Sequence, residues 1–154
     1  KIELKRKTGY SESQMIPRPI PGESNLLQVD PTWGKVQPMQ VAAGVHTVGE
    51  LEVIDHIQSG LPLIDSRTRD FYERCTIPDA QNIPYTEIQD RMNELDRKHP
   101  TVFFCNGPQC TQSPQAIQTL LRQEYPAEKI LYYRGGMHDW LTLGFPVETN
   151  TITQ

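Results

Sequence analysis

From about residue 45 onward, short apolar runs alternate with apolar positions at helical spacing. Leu51, Ile54 and Ile57 recur at that spacing, with Val53 beside them. Ahead of them Thr47 and Glu50 fit a capping box with Thr47 as N-cap, and Gly60 supplies a stop. Leu61-Pro62-Leu63-Ile64-Asp65 reads as a short buried strand ending in a carboxylate. A short polar helix is expected over 68–74 and a second extended piece over 80–84. Ile88, Met92 and Leu95 share one face of a helix predicted over 85–95. Thr101-Val102-Phe103-Phe104 is a strand rich in β-formers. Ser113-Pro114 then signals a helix start, N-cap followed by first helical position, for a helix over 114–123. Ile130-Leu131-Tyr132-Tyr133 is a further buried strand, and Gly135-Gly136 opens a last helix that Gly144 ends.

Strand and helix in alternation imply an α/β fold, a central and mostly parallel β-sheet flanked by helices. Such sheets bind ligands at the carboxyl ends of their strands. Asp65, Cys105 and Arg134 each fall at the end of a predicted strand, so one edge of the sheet gathers three chemically capable residues.

The first 44 residues break this pattern. Eight of the first 38 positions are proline or glycine, among them Pro17, Pro19, Pro21, Pro31 and Pro38. Repeated proline precludes a long helix and favours extended or turn structure. The stretch still holds Met15, Ile16, Ile20, Leu26, Leu27, Trp33 and Val36, more apolar residues than a free linker needs. Residues 1–44 are therefore read as an irregular, Pro-rich arm packed on the domain or on a partner, with a disordered leader as the alternative for its start. Residues 45–150 form the compact domain.

Composition narrows the chemistry. With 15 basic and 19 acidic residues the chain of 154 carries a net charge of −4, which argues against general nucleic-acid binding. No apolar run approaches the ~20 residues of a membrane span. A cytoplasmic location is the expectation, with the periplasm open because the chain begins at Lys1. The three cysteines, Cys75, Cys105 and Cys110, make a poor disulfide framework, and the four histidines show no metal-ligand spacing. Neither a metal nor a cofactor is expected.

The chemistry then centres on the loop after Phe104. A thiol at Cys105, between a strand and a helix start, would sit in a cup of backbone N–H groups at the positive end of a helix dipole. Both favour the thiolate. Cysteine phosphatases close such a loop with an arginine six positions on, because a phosphate dianion needs a bidentate clamp. Here that position is Thr111, and residues 106–111 hold no Arg or Lys, which disfavours phosphoryl transfer. A singly charged, soft sulfur anion suits a neutral loop better. The local pattern leaves a second reading open, in which Cys105 is a small buried hydrophobe.

Four segments, in order, resemble the rhodanese (sulfurtransferase) family over residues 45–148. Leu63-Ile64-Asp65-Ser66-Arg67 is similar to the family's strand ending in Asp-x-Arg. Ile77-Pro78-Asp79-Ala80-Gln81-Asn82-Ile83-Pro84 is similar to its Ile-Pro-Gly-Ala-x-Asn-Ile-Pro segment. Phe103-Phe104-Cys105 resembles the strand and nucleophile, and Gly135-Gly136-Met137-His138-Asp139-Trp140 the Gly-Gly-x-x-x-Trp signature. The loop from Cys105 through Cys110 has the sulfurtransferase length.

The resemblance implies that Cys105 takes a sulfane sulfur from a small donor, holds it as a persulfide, and passes it to a thiol or protein acceptor. Asn106, Gly107, Pro108, Gln109, Cys110 and Thr111 would cradle that persulfide with their backbone, and Asp65 and Arg67 would support the site without reacting. Asn106 stands where thiosulfate-using relatives often have Arg, so thiosulfate is expected to be a poor donor. Cys110 makes the loop Cys-x4-Cys and is a candidate resolving thiol, against a bland role as loop filler. Cys75 is assigned a structural role. A dithiol redox protein using Cys105 and Cys110, and a non-catalytic interaction module, are the alternatives to sulfur transfer.

Overall fold

The computed structural model describes residues 35–149 and the backbone of a hairpin over 18–20 and 22–28. The basic start of the chain, Trp33 and most of the Pro-rich stretch lie outside the described residues. Within the arm, β1 (Arg18–Ile20) and β2 (Glu23–Gln28) pair antiparallel, turning at Gly22, whose φ of 80° favours glycine. Extended structure was the expectation there, and the two strands give it a regular form.

The domain is built on five parallel strands in the order β3-β7-β6-β4-β5. They are β3 (His46–Thr47), β4 (Leu63–Asp65), β5 (Gln81–Asn82), β6 (Thr101–Phe104) and β7 (Ile130–Tyr133). Helices α1 (Glu50–Gln58), α2 (Arg69–Arg74), α3 (Gln112–Arg122) and α4 (Gly136–Thr142) connect and flank them. The central strands read as unbroken apolar runs because both faces are covered. Alternate residues of each strand divide between two cores. Ile64, Phe103, Ile130 and Tyr132 pack with Ala116, Ile117 and Leu120 of α3. Leu63, Val102, Phe104 and Tyr133 pack with Val53 of α1 and with Met137 and Trp140 of α4. By the same alternation Cys105 falls on the α3 side.

From β4 the chain runs outward to β5, then returns to β6 on the other side of β4 and continues to β7. The order reverses between β4 and β6, the position at which open α/β sheets form a crevice. The two strands end level, with Asp65 opposite Phe104. Asp65 and Cys105 are therefore neighbours across that crevice.

Three sequence expectations are corrected. The cap of α1 is Gly49, not Thr47. Thr47 is taken into β3 opposite Tyr132, its hydroxyl donates to the Met39 carbonyl, and Glu52 reaches back to the Gly49 N–H at 3.2 Å. The helix predicted over 85–95 is a chain of turns closed by a short 3-10 segment, Met92–Glu94. Its hydrogen bonds run mostly over three residues, such as Glu87 N to Pro84 O and Leu95 N to Met92 O. Finally, α3 starts at Gln112, with Thr111 in the cap position, so Ser113 and Pro114 lie inside its first turn.

Candidate active site

Four consecutive carbonyls of the loop after β6 are each engaged. Met137 N donates to Cys105 O at 3.0 Å and His138 N to Asn106 O at 2.8 Å. Cys110 N closes a turn onto Gly107 O at 3.0 Å, and Gln37 N donates to Pro108 O at 2.7 Å. Two of these donors come from the first turn of α4, whose own N–H groups lack helical partners. The approach is close enough that Gly136 admits no side chain. A Cβ there would lie 2.4 Å from Cys105 O and 2.8 Å from Gly107 N, and its φ of 57° is left-handed. The last donor belongs to the arm. Gln37 also accepts a hydrogen bond from Arg134 Nε at 2.9 Å, so this arm residue bridges the loop and the end of β7.

Cys105 is 1% exposed. Its Sγ accepts the Ser113 N–H at 3.3 Å, from the first turn of α3, where backbone donors are free and the dipole is positive. Ser113 Oγ and Ser66 Oγ share a hydrogen bond at 3.0 Å, and Ser66 N donates to Phe104 O at 2.9 Å, which fixes α3 against the end of β4. The Cys110 side chain packs against Cys105 and is equally buried. Burial raises the Cys105 pKa, but hydrogen bonds from the Cys110 thiol and from the N–H and hydroxyl of Ser113 outweigh it, and the thiol stays below its ordinary range. Cys110 moves the other way: burial, and its role as donor to Cys105, push it well above that range. The two neighbouring thiols are thus pushed apart, Cys105 toward the thiolate and Cys110 toward the thiol. Both are free of disulfide.

Asp65 and Arg67 make a buried ion pair beneath this loop. Both side chains are 0% exposed, with Arg67 Nη2 2.8 Å from Asp65 Oδ2 and Nε 3.0 Å from Oδ1. Arg67 Nη1 donates to Asn106 Oδ1 at 3.3 Å, and Nη2 also meets the Cys75 carbonyl. Thr76 Oγ1 donates to Asp65 Oδ2 at 2.8 Å. Burial alone would lower the Arg67 pKa, yet the Asp65 carboxylate raises it. Its guanidinium spans the end of β4, the end of α2 and the loop. Arg134, likewise, spends its Nε on Gln37. Cys75 lies apart from the two loop thiols as the C-cap of α2, half-buried against the α1 and α4 core, and burial pushes its thiol up.

Sequence reasoning brought Asp65, Cys105, Asn106, Cys110 and Arg67 together, and the structure places them in one cluster. It gave no role to Ser66, Gln37 or Tyr132. Tyr132 is 0% exposed on the α3 face, burial and then its nearness to the two cysteines push its pKa up, and its hydroxyl has no partner among the described residues. Nor has Gln112 Oε1, at the start of α3. A hydroxyl at an inward position of a buried strand was the available signal for Tyr132. Nothing local in the sequence marks Gln37. Among the described residues no group of three or more His, Cys, Asp or Glu is placed to hold a metal, and no helix is long and apolar enough to cross a membrane.

A parallel α/β sheet with a cysteine anion cradle at its switch point defines a class shared by several chemistries. The family is narrower: the chain belongs to the rhodanese-like domain family, whose model matches residues 50–143. A sulfurtransferase of Allochromatium vinosum is 33% identical over 85 residues, 55% of this chain and 76% of that protein. An HTH-type transcriptional regulator of Mycobacterium tuberculosis is 31% identical over 86 residues, 56% of this chain but only 37% of the regulator. A crystal structure of a Bacillus halodurans protein shares the fold with a TM-score of 0.61, at 22% identity over 68% of this chain and 77% of that one.

Proposed function

We propose that the protein is a sulfurtransferase that carries sulfane sulfur as a persulfide on Cys105. The observation that carries this reading is the Ser113 N–H on Cys105 Sγ, at a helix start and within a loop that holds no cationic side chain. A thiolate so held attacks the outer sulfur of a donor such as a polysulfide or glutathione persulfide. A bond forms between Cys105 Sγ and that sulfur, the donor's own S–S bond breaks, and the donor leaves as a thiolate. The negative charge stays on the outer sulfur. An acceptor thiolate then attacks that sulfur and frees Cys105 as thiolate, so the relay needs neither metal nor redox cofactor.

The neutral loop favours singly charged sulfane groups over dianions. Asn106 adds no positive charge and has its amide oxygen occupied by Arg67, so thiosulfate, a dianion, is expected to load Cys105 more slowly than glutathione persulfide, whose sulfane end carries a single charge. The experiment is intact-mass measurement after brief exposure to each donor. One added sulfur atom, lost in Cys105→Ser, is the expected result. No gain with any donor, or a gain retained in Cys105→Ser, overturns the reading.

A further inference from the structure

The persulfide relay uses one thiol of the loop, and the loop holds two. Cys110 is as buried as Cys105, packs directly against it, and turns its backbone so that its own carbonyl lies 3.7 Å from Cys105 Sγ. The turn from Gly107 to Cys110 holds it there. A residue chosen only to fill this space need not carry sulfur. On the same face of the sheet, in the α3-side core and within electrostatic reach of both cysteines, the Tyr132 hydroxyl is a fully buried donor with no partner among the described residues, although a phenylalanine would fill the same core. Buried polar groups without partners cost free energy and are uncommon in native interiors. This one is left free to donate to a negatively charged sulfur.

We propose that Cys110 resolves the Cys105 persulfide from within the loop, releasing hydrogen sulfide ion and leaving a Cys105–Cys110 disulfide, so that the protein reduces sulfane sulfur as well as relaying it. This rests on the persulfide reading above. The Cys110 sulfur attacks Cys105 Sγ, the bond from Sγ to the outer sulfur breaks, and the Cys110 proton leaves with the outer sulfur as HS⁻. The two cysteine sulfurs are oxidised together by two electrons, and the sulfane sulfur takes up both. The Tyr132 O–H stabilises the departing anion. An external dithiol reductant then returns the disulfide to two thiols, becoming a disulfide itself. Before loading, the high pKa of Cys110 keeps its proton in place, which suits a group that must deliver that proton at the end.

The test loads the full chain with polysulfide, removes the excess donor, and follows intact mass and free sulfide with no thiol added. The wild-type chain is expected to lose its extra sulfur as sulfide and to end two hydrogens lighter than the reduced chain. Peptide mapping should place the disulfide between Cys105 and Cys110, and Cys110→Ser should keep its extra sulfur until a thiol is added. A wild-type chain that holds its sulfur as long as Cys110→Ser does, or a disulfide that involves Cys75, overturns the inference. A folded Cys110→Ser that never gains sulfur overturns the persulfide reading instead. Should Cys110→Ser fail to fold, the mass, sulfide yield and mapping of the wild-type chain decide the question alone.

Discussion

Arg67 holds a full positive charge with no exposed surface, and that sets what the neighbouring residues can do. A charge so deep is tolerated because Asp65, Asn106 and the Cys75 carbonyl satisfy it together. The Asp-x-Arg spacing was legible in the sequence; that the arginine points inward was not, because arginine is usually read as surface. Cys105 was legible for the opposite reason. A thiol between an apolar strand and a helix start has few surroundings open to it. Its depressed pKa gives a prediction at this scale. A lowered thiol pKa means thiolate is already present at pH values where an ordinary cysteine is protonated, so alkylation of Cys105 should stay fast as pH falls below the usual thiol range. Replacing Cys110 by Ala removes a hydrogen bond to the thiolate and shifts the profile upward. Losing about 1 kcal/mol of that interaction lowers the rate at neutral pH by about fivefold. Rates of carbamidomethylation measured across pH for both proteins check this.

At the scale of elements, the strands were the most legible part. Residues 102–104 and 130–133 are short runs of β-branched, aliphatic and aromatic residues because helices cover both faces, and no tertiary knowledge is needed to see it. The stretch over 85–95 was misread because Ile88, Met92 and Leu95 are spaced four and three apart, as on one face of an α-helix, whereas the backbone closes mostly i to i+3 hydrogen bonds. The start of α3 was placed two residues late for a related reason. Thr111, Gln112 and Ser113 are all competent near a helix start, and only the sulfur of Cys105, which takes the Ser113 N–H, decides among them. The junction of loop and α4 carries the sharpest prediction. Gly136→Ala forces a methyl against the Cys105 carbonyl in a left-handed backbone. It should cost about 3 kcal/mol in chemical denaturation. Sulfur loading should fall in the protein that remains folded, because the Met137 and His138 amides can no longer reach the loop.

At the scale of the molecule, the arm contributes to the site it precedes. Gln37 holds Pro108 through its N–H and Arg134 through its carbonyl, while Val41 and Ala42 pack on the α3 core. The apolar residues of the arm suggested packing on the domain or on a partner, but neither Gln37 contact was visible in the sequence, since a backbone hydrogen bond across 71 positions leaves no local mark. Gln37→Pro deletes that N–H and should cost about 1 kcal/mol. Hydrogen exchange should show faster opening of the amides in 105–110, with the β4 and β6 amides unchanged. The four pinned carbonyls have a further consequence, in the order of events as the chain folds. Their donors arrive from residues 37, 110, 137 and 138, so the cradle is complete only when the beginning and the end of the domain have both docked. Until then Cys105 is a thiol like any other in an unfolded chain, with its proton in place and little appetite for oxidants. The lowered pKa of its thiol is a property acquired last, and a chain damaged or arrested on the way to the native state does not carry it.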